Sequence, residues 1–437
     1  MSRLALEGVR ILDLSVVWAG PHATKMLADM GAEVIKIESL SRLDPIRGPV
    51  RPVSNTEGCY PDNEPGARPY NRHGYFNERN RNKLGLTLDL KHPDGLAIFK
   101  RLVAVSDVVI DNFSWGVTER LGIDYERLRT VNPRIIQLSM PSFGTTGPER
   151  YYVGYGATND HLSGITSVTG YTDTGMENPG INISDPIAGL HAAGAILAAL
   201  LYRQRTGKGQ FIDLSHRETA TRLTAGPVLD VSMNGRVARP QGNKHAWKAP
   251  HGCYPTRGED AWIVIAVGTD REWEGLCRAA GKPEWVTDPR FSTVSARWKH
   301  RHELDQEIAS WTRTQDRWDL MQRLQTAGVP AGAVATAEDL LANKHLRARG
   351  FFVTITHPEA GTHDYLGLPW KMSRTPGAVR RPAPTLGQHT EQVLRDLLGL
   401  SEAELARLRR ERVIGQEPVI PRDLLPPFDR ESRQVGG

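Results

Sequence analysis

Residues 9–38 read VRILDLSVVWAGPHATKMLADMGAEVIKIE, and this stretch decides the fold class. Val9 to Leu14 is a short apolar run of the kind that forms a buried strand, and Ala19-Gly20-Pro21 predicts a turn after it. HATKMLADM then carries a helical pattern closed by Gly31, and Glu33 to Glu38 alternates as a second strand. A strand-helix-strand unit argues for a parallel sheet joined by right-handed crossovers. The turn lacks the G-x-G-x-x-G of a dinucleotide site, so a nicotinamide cofactor is not expected.

Outward from this unit, residues 40–80 are rich in Pro, Gly, Arg and Asn without a clear period. They predict a long surface excursion, of the kind that borders a substrate site. Lys83 to Leu90, Asp107 to Asp111 and Arg134 to Ser139 read as three further strands. Helical stretches separate them, one opened by Pro93 and Asp94, another near Val117 to Leu128. Five strands alternating with helices predict a doubly wound α/β domain, Rossmann-like in class, over 1–225. A smaller α+β domain is expected at 226–330, with strand Trp262 to Val267 and helices from Arg271 and His302. The segment 331–437 returns to the large domain through a strand-rich stretch and a charged helix from Glu391 through Arg412. Its Pro- and Arg-rich end from 416 is expected to trail along a surface.

Residues 180–209, GINISDPIAGLHAAGAILAALLYRQRTGKG, form the stretch that the remainder serves. Asp185 reads as an N-cap and Pro186 as the first helical residue, with Gly207 ending the helix near Arg203, Arg205 and Lys208. The helix between is small or aliphatic nearly all round, which predicts burial on most sides as a core helix rather than a membrane span. A carboxylate at such a mouth is also a candidate nucleophile, with backbone amides nearby to hold negative charge on a substrate oxygen.

The chain has 437 residues, enough for two substantial cores, and a formal net charge of +5, mild for that length. No RNP-like motif or dense basic stripe points to nucleic acid. Cys59, Cys253 and Cys277 share no metal-ligand spacing and are expected as reduced thiols in a cytoplasmic protein. Glu7 and Arg10 interrupt the place where a signal peptide needs an apolar run. There is no phosphate loop, G-x-S-x-G elbow or H-E-x-x-H helix, and His161, His191 and His216 read as packed or surface residues rather than ligands.

Several stretches together carry a resemblance: residues 6–38, NRNKLGLTLDLKHPDG, the DNF ending at Phe113, ISDPIAGLHAAGAILAALLYRQRTGKGQFIDLS, GVPAGAVATAEDLL and PAPTLGQHTEQVL. They resemble the family III CoA-transferases, to which formyl-CoA, carnitine and benzylsuccinate CoA-transferases belong and α-methylacyl-CoA racemase is related. The resemblance implies a large domain built from both chain ends, an interlocked homodimer, and Asp185 as the covalent catalyst. It implies coenzyme A as substrate and product, with no tightly bound cofactor and no metal. It implies that CoA is held around Leu88 and Lys91, around Asn112 and Phe113 and by Arg120, with Val16, Trp18 and Tyr155 completing the set. In the racemase pattern Gly-His-Asp a histidine stands where this chain has Tyr155, and transferases carry tyrosine there, so CoA transfer to a free carboxylic acid is favoured over α-proton exchange. His161 is the one substitute base in the neighbourhood, and a non-catalytic acyl-CoA-binding protein is the third reading. Trp18 replaces the glutamine of formyl-CoA transferase, which predicts a roomier, more apolar acyl site for an aromatic or branched acid.

Overall fold

A computed structural model describes residues 4–50 and 59–419, so the expected trailing end lies largely outside the described residues. The described chain forms two compact units. One gathers the chain up to Ile165, Pro179–Leu229 and the part from Ala348 on; the other holds Thr166–Asn178 and Asp230–Arg347.

In the first unit, six strands make one parallel sheet: β1 Arg10–Asp13, β2 Glu33–Glu38, β3 Lys83–Thr87, β4 Val108–Asp111, β5 Ile136–Ser139 and β6 Gln210–Asp213. Their order is β3-β2-β1-β4-β5-β6, so the chain reverses its direction of travel across the sheet between β1 and β4. Ligands of open parallel sheets bind outside the carboxyl ends of the strands at such a reversal. Successive side chains point to opposite faces, and both faces are covered. Leu12, Ile35 and Val109 pack with Phe99, Leu102, Leu394 and Leu405, while Ile11, Val34 and Val108 pack with Leu27, Ala188 and Ala192. Each such side chain removed from water contributes about 1.5–3 kcal/mol, which is why strands of this composition sit inside rather than at a surface.

Six helices position the site: α1 Ala19–Asp29, α2 Gly74–Arg79, α3 Pro93–Ala104, α4 Gly156–Leu162, α5 Ser184–Thr206 and α6 His216–Thr221. Helix α1 begins at Ala19, so the residues expected to form a turn are its first turn instead. The turn lies one step earlier, at Val17, whose φ of 67° is rare for a β-branched residue. The segment expected as a surface excursion is partly internal. Arg47, Tyr70, Asn71, His73, Phe76, Asn77 and Asn80 are buried, and short helices carry them where no period was legible.

Helix α5 is long and apolar enough to cross a membrane by length and composition, yet its burial is one-sided. Ser184, Asp185, Ala188, Gly189, Ala192, Ala193, Ile196 and Ala199 are buried, whereas Leu190, Leu197 and Leu201 stay 45–52 % exposed. The expectation of burial on most sides is therefore corrected. Small residues let α5 approach α1 closely, since a Cβ on Gly189 would stand 2.7 Å from the Ala19 carbonyl oxygen. Leu190, Leu197 and Leu201 are left on the outer face, while Ile196 is the one bulky aliphatic among the buried residues of the helix.

The second unit carries an antiparallel sheet of β7 His251–Pro255, β8 Trp262–Ala266 and β9 Ala331–Ala333. β9 pairs with β8, which carries this unit beyond residue 330. Helix α7 Asp270–Ala280 opens with a capping box from Thr269 and Glu272, and its Trp273 packs on Trp285 and Phe291. Back in the first unit, α8 Thr390–Leu398 and α9 Glu402–Arg410 replace the single helix expected there. Gly399 at φ 68° ends one, and a Ser401–Glu404 capping box starts the next.

Candidate active site

The site begins with a floor of buried charge at the carboxyl end of β1. Asp13, fully buried, accepts from Lys83 Nζ at 2.9 Å and Thr24 Oγ1 at 2.7 Å, and it also holds the Ser15 amide. Burial pushes the Asp13 carboxyl up, but Lys83 and Lys36 outweigh it and hold it at about 2. Lys36 Nζ reaches Asp44 Oδ2 at 3.1 Å, and Asp44 Oδ1 accepts the Val17 amide at 2.9 Å. Two paired carboxylates thus fix both ends of the turn at Ser15 to Val17. Strain of about 1–3 kcal/mol at a residue such as Val17 persists only when its surroundings over-determine it.

That turn delivers Val16 and Trp18. Asn112, just past β4, accepts the Val16 amide at 2.8 Å and donates to the Val16 carbonyl at 2.7 Å, so these two predicted residues clasp each other where the strand order reverses. Phe113 lies next to this clasp, half-buried, its amide bonded to Asp111 Oδ1 at 3.2 Å. Asp111 has no cationic partner among the described residues, and burial pushes its carboxyl up to about 6. Trp18 does not present a free apolar wall as its sequence context suggested. The Arg79 guanidinium, at the end of α2, lies over its ring at 4.3 Å.

Asp185 is 7 % exposed and sits in the first turn of α5, but it is not the cap. Ile183 occupies that position without a capping side chain, and the amides of Ile183 and Ser184 are taken by Asp160 of α4 at 3.2 and 2.9 Å. The Asp185 amide goes to Asn182 O at 3.3 Å, and Pro186 has none to give. The mouth of α5 is therefore already satisfied, which corrects the expectation that its amides face a substrate oxygen. Asp160, fully buried and 24 residues before Ser184, relieves Asp185 of capping duty. By contrast, the first amides of α1, those of Ala19 and Gly20, have no partner among the described residues.

Around the Asp185 carboxylate stand one imidazole and one glycine. His216 Nδ1, on the first residue of α6, lies 3.6 Å from Asp185 Oδ1, while its Nε2 is buried without a hydrogen-bond partner. A Cβ on Gly156 would fall 2.5 Å from Asn182 Cβ and 3.0 Å from Asp185 Oδ2, so glycine alone leaves room for the carboxylate. One turn along α5, His22 of α1 packs against Gly189. Burial, then Lys25, pulls its imidazole down to about 4, so it is neutral at pH 7.

The remaining predicted residues scatter. Tyr155 precedes α4 and is 66 % exposed. Lys91 and Arg120 are exposed side chains, one before α3 and one on the helix Val117–Leu121. Leu88 is 1 % exposed and belongs to the sheet core, so its side chain serves packing. His161 bonds the carbonyl of Ala157 in its own helix at 2.5 Å, and His191 does the same with Ile187 at 2.9 Å. Arg79, Asp160, Gly156 and His216 are the site residues that sequence reasoning passed over.

Residues 6–390 match the family model described as CoA-transferase family III. The chain is 37 % identical to succinyl-CoA–D-citramalate CoA-transferase of Chloroflexus aurantiacus, over 94 % of this chain and 98 % of that protein. It is 35 % identical to succinate–glutarate CoA-transferase of Agrobacterium fabrum, over 90 % and 95 %. Among solved structures, a CAIB/BAIF family protein from Brucella suis superimposes with a TM-score of 0.81 at 31 % identity, covering 91 % of this chain and all of that one.

Proposed function

The chain belongs to CoA-transferase family III and is a CoA-transferase, and from that premise we propose that Asp185 is its covalent nucleophile. The observation that carries this reading is the quenched helix mouth. A carboxylate at a helix start ordinarily caps it, and here Asp160 does that work, leaving Asp185 beside a glycine-made space with His216 on one oxygen.

In this mechanism an Asp185 oxygen attacks the thioester carbonyl, the C–S bond breaks, and CoA leaves as thiolate. The resulting mixed anhydride is attacked at the aspartyl carbonyl by that thiolate; the first acid departs as carboxylate and an aspartyl-CoA thioester remains. The incoming carboxylate then attacks the aspartyl carbonyl and expels the thiolate, which takes the new acyl group and restores Asp185. Splitting one exchange into such steps lowers each barrier. Negative charge on the tetrahedral oxygen calls for preorganised donors, and the unpaired amides of Ala19 and Gly20 are the ones available at this end of α1. Coenzyme A lies along the reversal between β1 and β4, past the Val16–Asn112 clasp and Phe113, with Lys91 and Arg120 toward its phosphates and Tyr155 over the acyl end.

Two further parts belong to the same reading. The large unit is a doubly wound Rossmann-like domain serving a homodimer, in which the outer stripe of Leu190, Leu197 and Leu201 is covered by the second copy. The enzyme works in the cytoplasm, consistent with the free Cys59, Cys253 and Cys277. The decisive test incubates the protein with an acyl-CoA and no acceptor, then hydroxylamine, and reads residue 185 by mass spectrometry. A hydroxamate at Asp185 is expected; turnover with an unlabelled Asp185 overturns the mechanism. Deuterium uptake from heavy water without an acceptor acid would instead favour α-proton exchange.

A further inference from the structure

Among the arginines around the site in the first unit, Arg79, half-buried, stands apart from the buried Arg47 and Arg81. Arg47 holds Glu38 through two nitrogens at 2.8 Å each, and Arg81 holds Asp29 at 2.7 Å. Arg79 makes no ion pair among the described residues. Its Nη1 donates to the Tyr75 carbonyl at 3.2 Å, and its Nε is buried with no hydrogen-bond partner. The guanidinium carbon lies over two aromatic rings, 4.3 Å from the centroid of Trp18 and 5.2 Å from that of Tyr75. Aromatic rings satisfy a guanidinium without using its N–H groups, so the Nε edge of Arg79, the part of the group that pairs with a carboxylate, is left to receive one.

Resting on the reading of Asp185 given above, we propose that Arg79, held over Trp18, receives the second carboxylate of a dicarboxylic acid, so that the enzyme's carboxylic substrates carry two acid groups. The nearest anion in sequence, Glu78, is already bonded to Lys25 at 2.5 Å. Burial pulls Arg79 down from the usual guanidinium range, opposed in falling order by Glu78, Tyr75, Asp185 and Asp44. Trp18, under Arg79, precedes Ala19, whose carbonyl oxygen packs on Gly189 one turn along α5 from Asp185, so Arg79 and Asp185 stand at the same end of the α1–α5 contact. The phosphates of CoA sit at the far end of the pantetheine arm from the thioester, so a cation that feels the nucleophile belongs to the acyl end. A monocarboxylic acid bound there leaves a desolvated donor unpaired, which is the strongest form of discrimination a small site has. Trp18 then selects for charge by fixing a cation, where its ring alone suggested an aromatic or branched acid.

The test is a set of acceptor pairs matched in length, succinate against butyrate and glutarate against pentanoate, with one acyl-CoA donor throughout. The wild-type enzyme is expected to prefer the better dicarboxylate by about 100-fold or more in kcat/KM. Arg79→Gln should bring that preference within about fivefold, chiefly by raising the KM for the dicarboxylate, and Arg79→Lys should keep part of it. Melting curves of both variants establish folding; should Arg79→Gln not fold, the wild-type preference and the lysine variant decide. No wild-type preference, an undiminished preference in Arg79→Gln, or an equal fall in kcat for both members of a pair overturns the proposal. So does a rise in KM common to all CoA donors, which assigns Arg79 to the phosphates. Absence of CoA transfer to any acid by the wild-type protein is a separate result and removes the parent reading instead.

Discussion

The charged floor under the turn at Ser15 to Val17 and the mouth around Asp185 both set carboxylates among basic side chains, and the two are treated in opposite ways. In the floor, Asp13, Asp44, Lys36 and Lys83 are fully or nearly fully buried, and every charge meets an opposite one. In the mouth, Arg79 Nε, His216 Nε2 and His22 Nδ1 are buried without partners, and Asp185 faces only an imidazole. Desolvated polar atoms left open cost stability, about 1–3 kcal/mol each. At the mouth three of them stand with a carboxylate that has no cationic bond of its own, which teaches that the floor exists to hold a backbone and the mouth to receive something.

Four substitutions or titrations separate the two regions. Asp185→Asn should cut turnover by about 10⁴-fold or more, while the melting temperature moves by no more than about 2 °C; a large drop in melting temperature would move Asp185 to the floor. Asp13→Asn should do the reverse. It leaves Lys83 and Lys36 short of a counter-charge, so urea denaturation should show a loss of about 3–5 kcal/mol, and the turnover of the folded fraction should stay within about threefold. Gly156→Ala pushes a methyl against Asn182 and toward the Asp185 carboxylate. Turnover should fall by about 10–100-fold for a stability cost of about 1–3 kcal/mol, read by the same two assays.

The smallest effect tests the floor against its own neighbour. Asp13 and Asp111 end adjacent parallel strands, and both are fully buried. The first, held at about 2 by its lysines, contributes stability that is present above about pH 4 and lost as pH falls toward 2. The second, raised to about 6 by burial, contributes stability that is present below about pH 4 and lost as pH rises through 6. Urea midpoints measured from pH 4 to 7 should therefore fall less with rising pH in Asp111→Asn than in the wild type. Identical slopes would mean that Asp111 is ionised throughout, like its neighbour.

The strands were legible because apolar runs such as EVIKIE state their burial directly, and β2 spans Glu33–Glu38 as expected. Asp185 was singled out as the candidate carboxylate by its place at the start of a long apolar helix and by resemblance. Its release from capping was not, because the group that replaces it, Asp160, arrives from another helix and leaves no local signal. Arg79 was hidden by helices only four to six residues long, too short to show a period. The one-sided burial of α5 was readable in principle. Small residues recur at 188, 189, 192, 193 and 199, and large ones at 190, 197 and 201, a sorting by size that overall hydrophobicity conceals.

The edge strand β3 is finished by the far end of the chain. Thr87 Oγ1 pairs with the amide and carbonyl of Gly415, 328 residues later, and with Thr390. At roughly 5–20 residues per second on the ribosome, that margin stays incomplete for about a quarter of a minute to a minute after β3 emerges. A nascent chain halted short of Gly415 carries an unfinished border that chaperones can grip, and a stop codon near residue 400 would abolish the enzyme without touching any group that meets substrate.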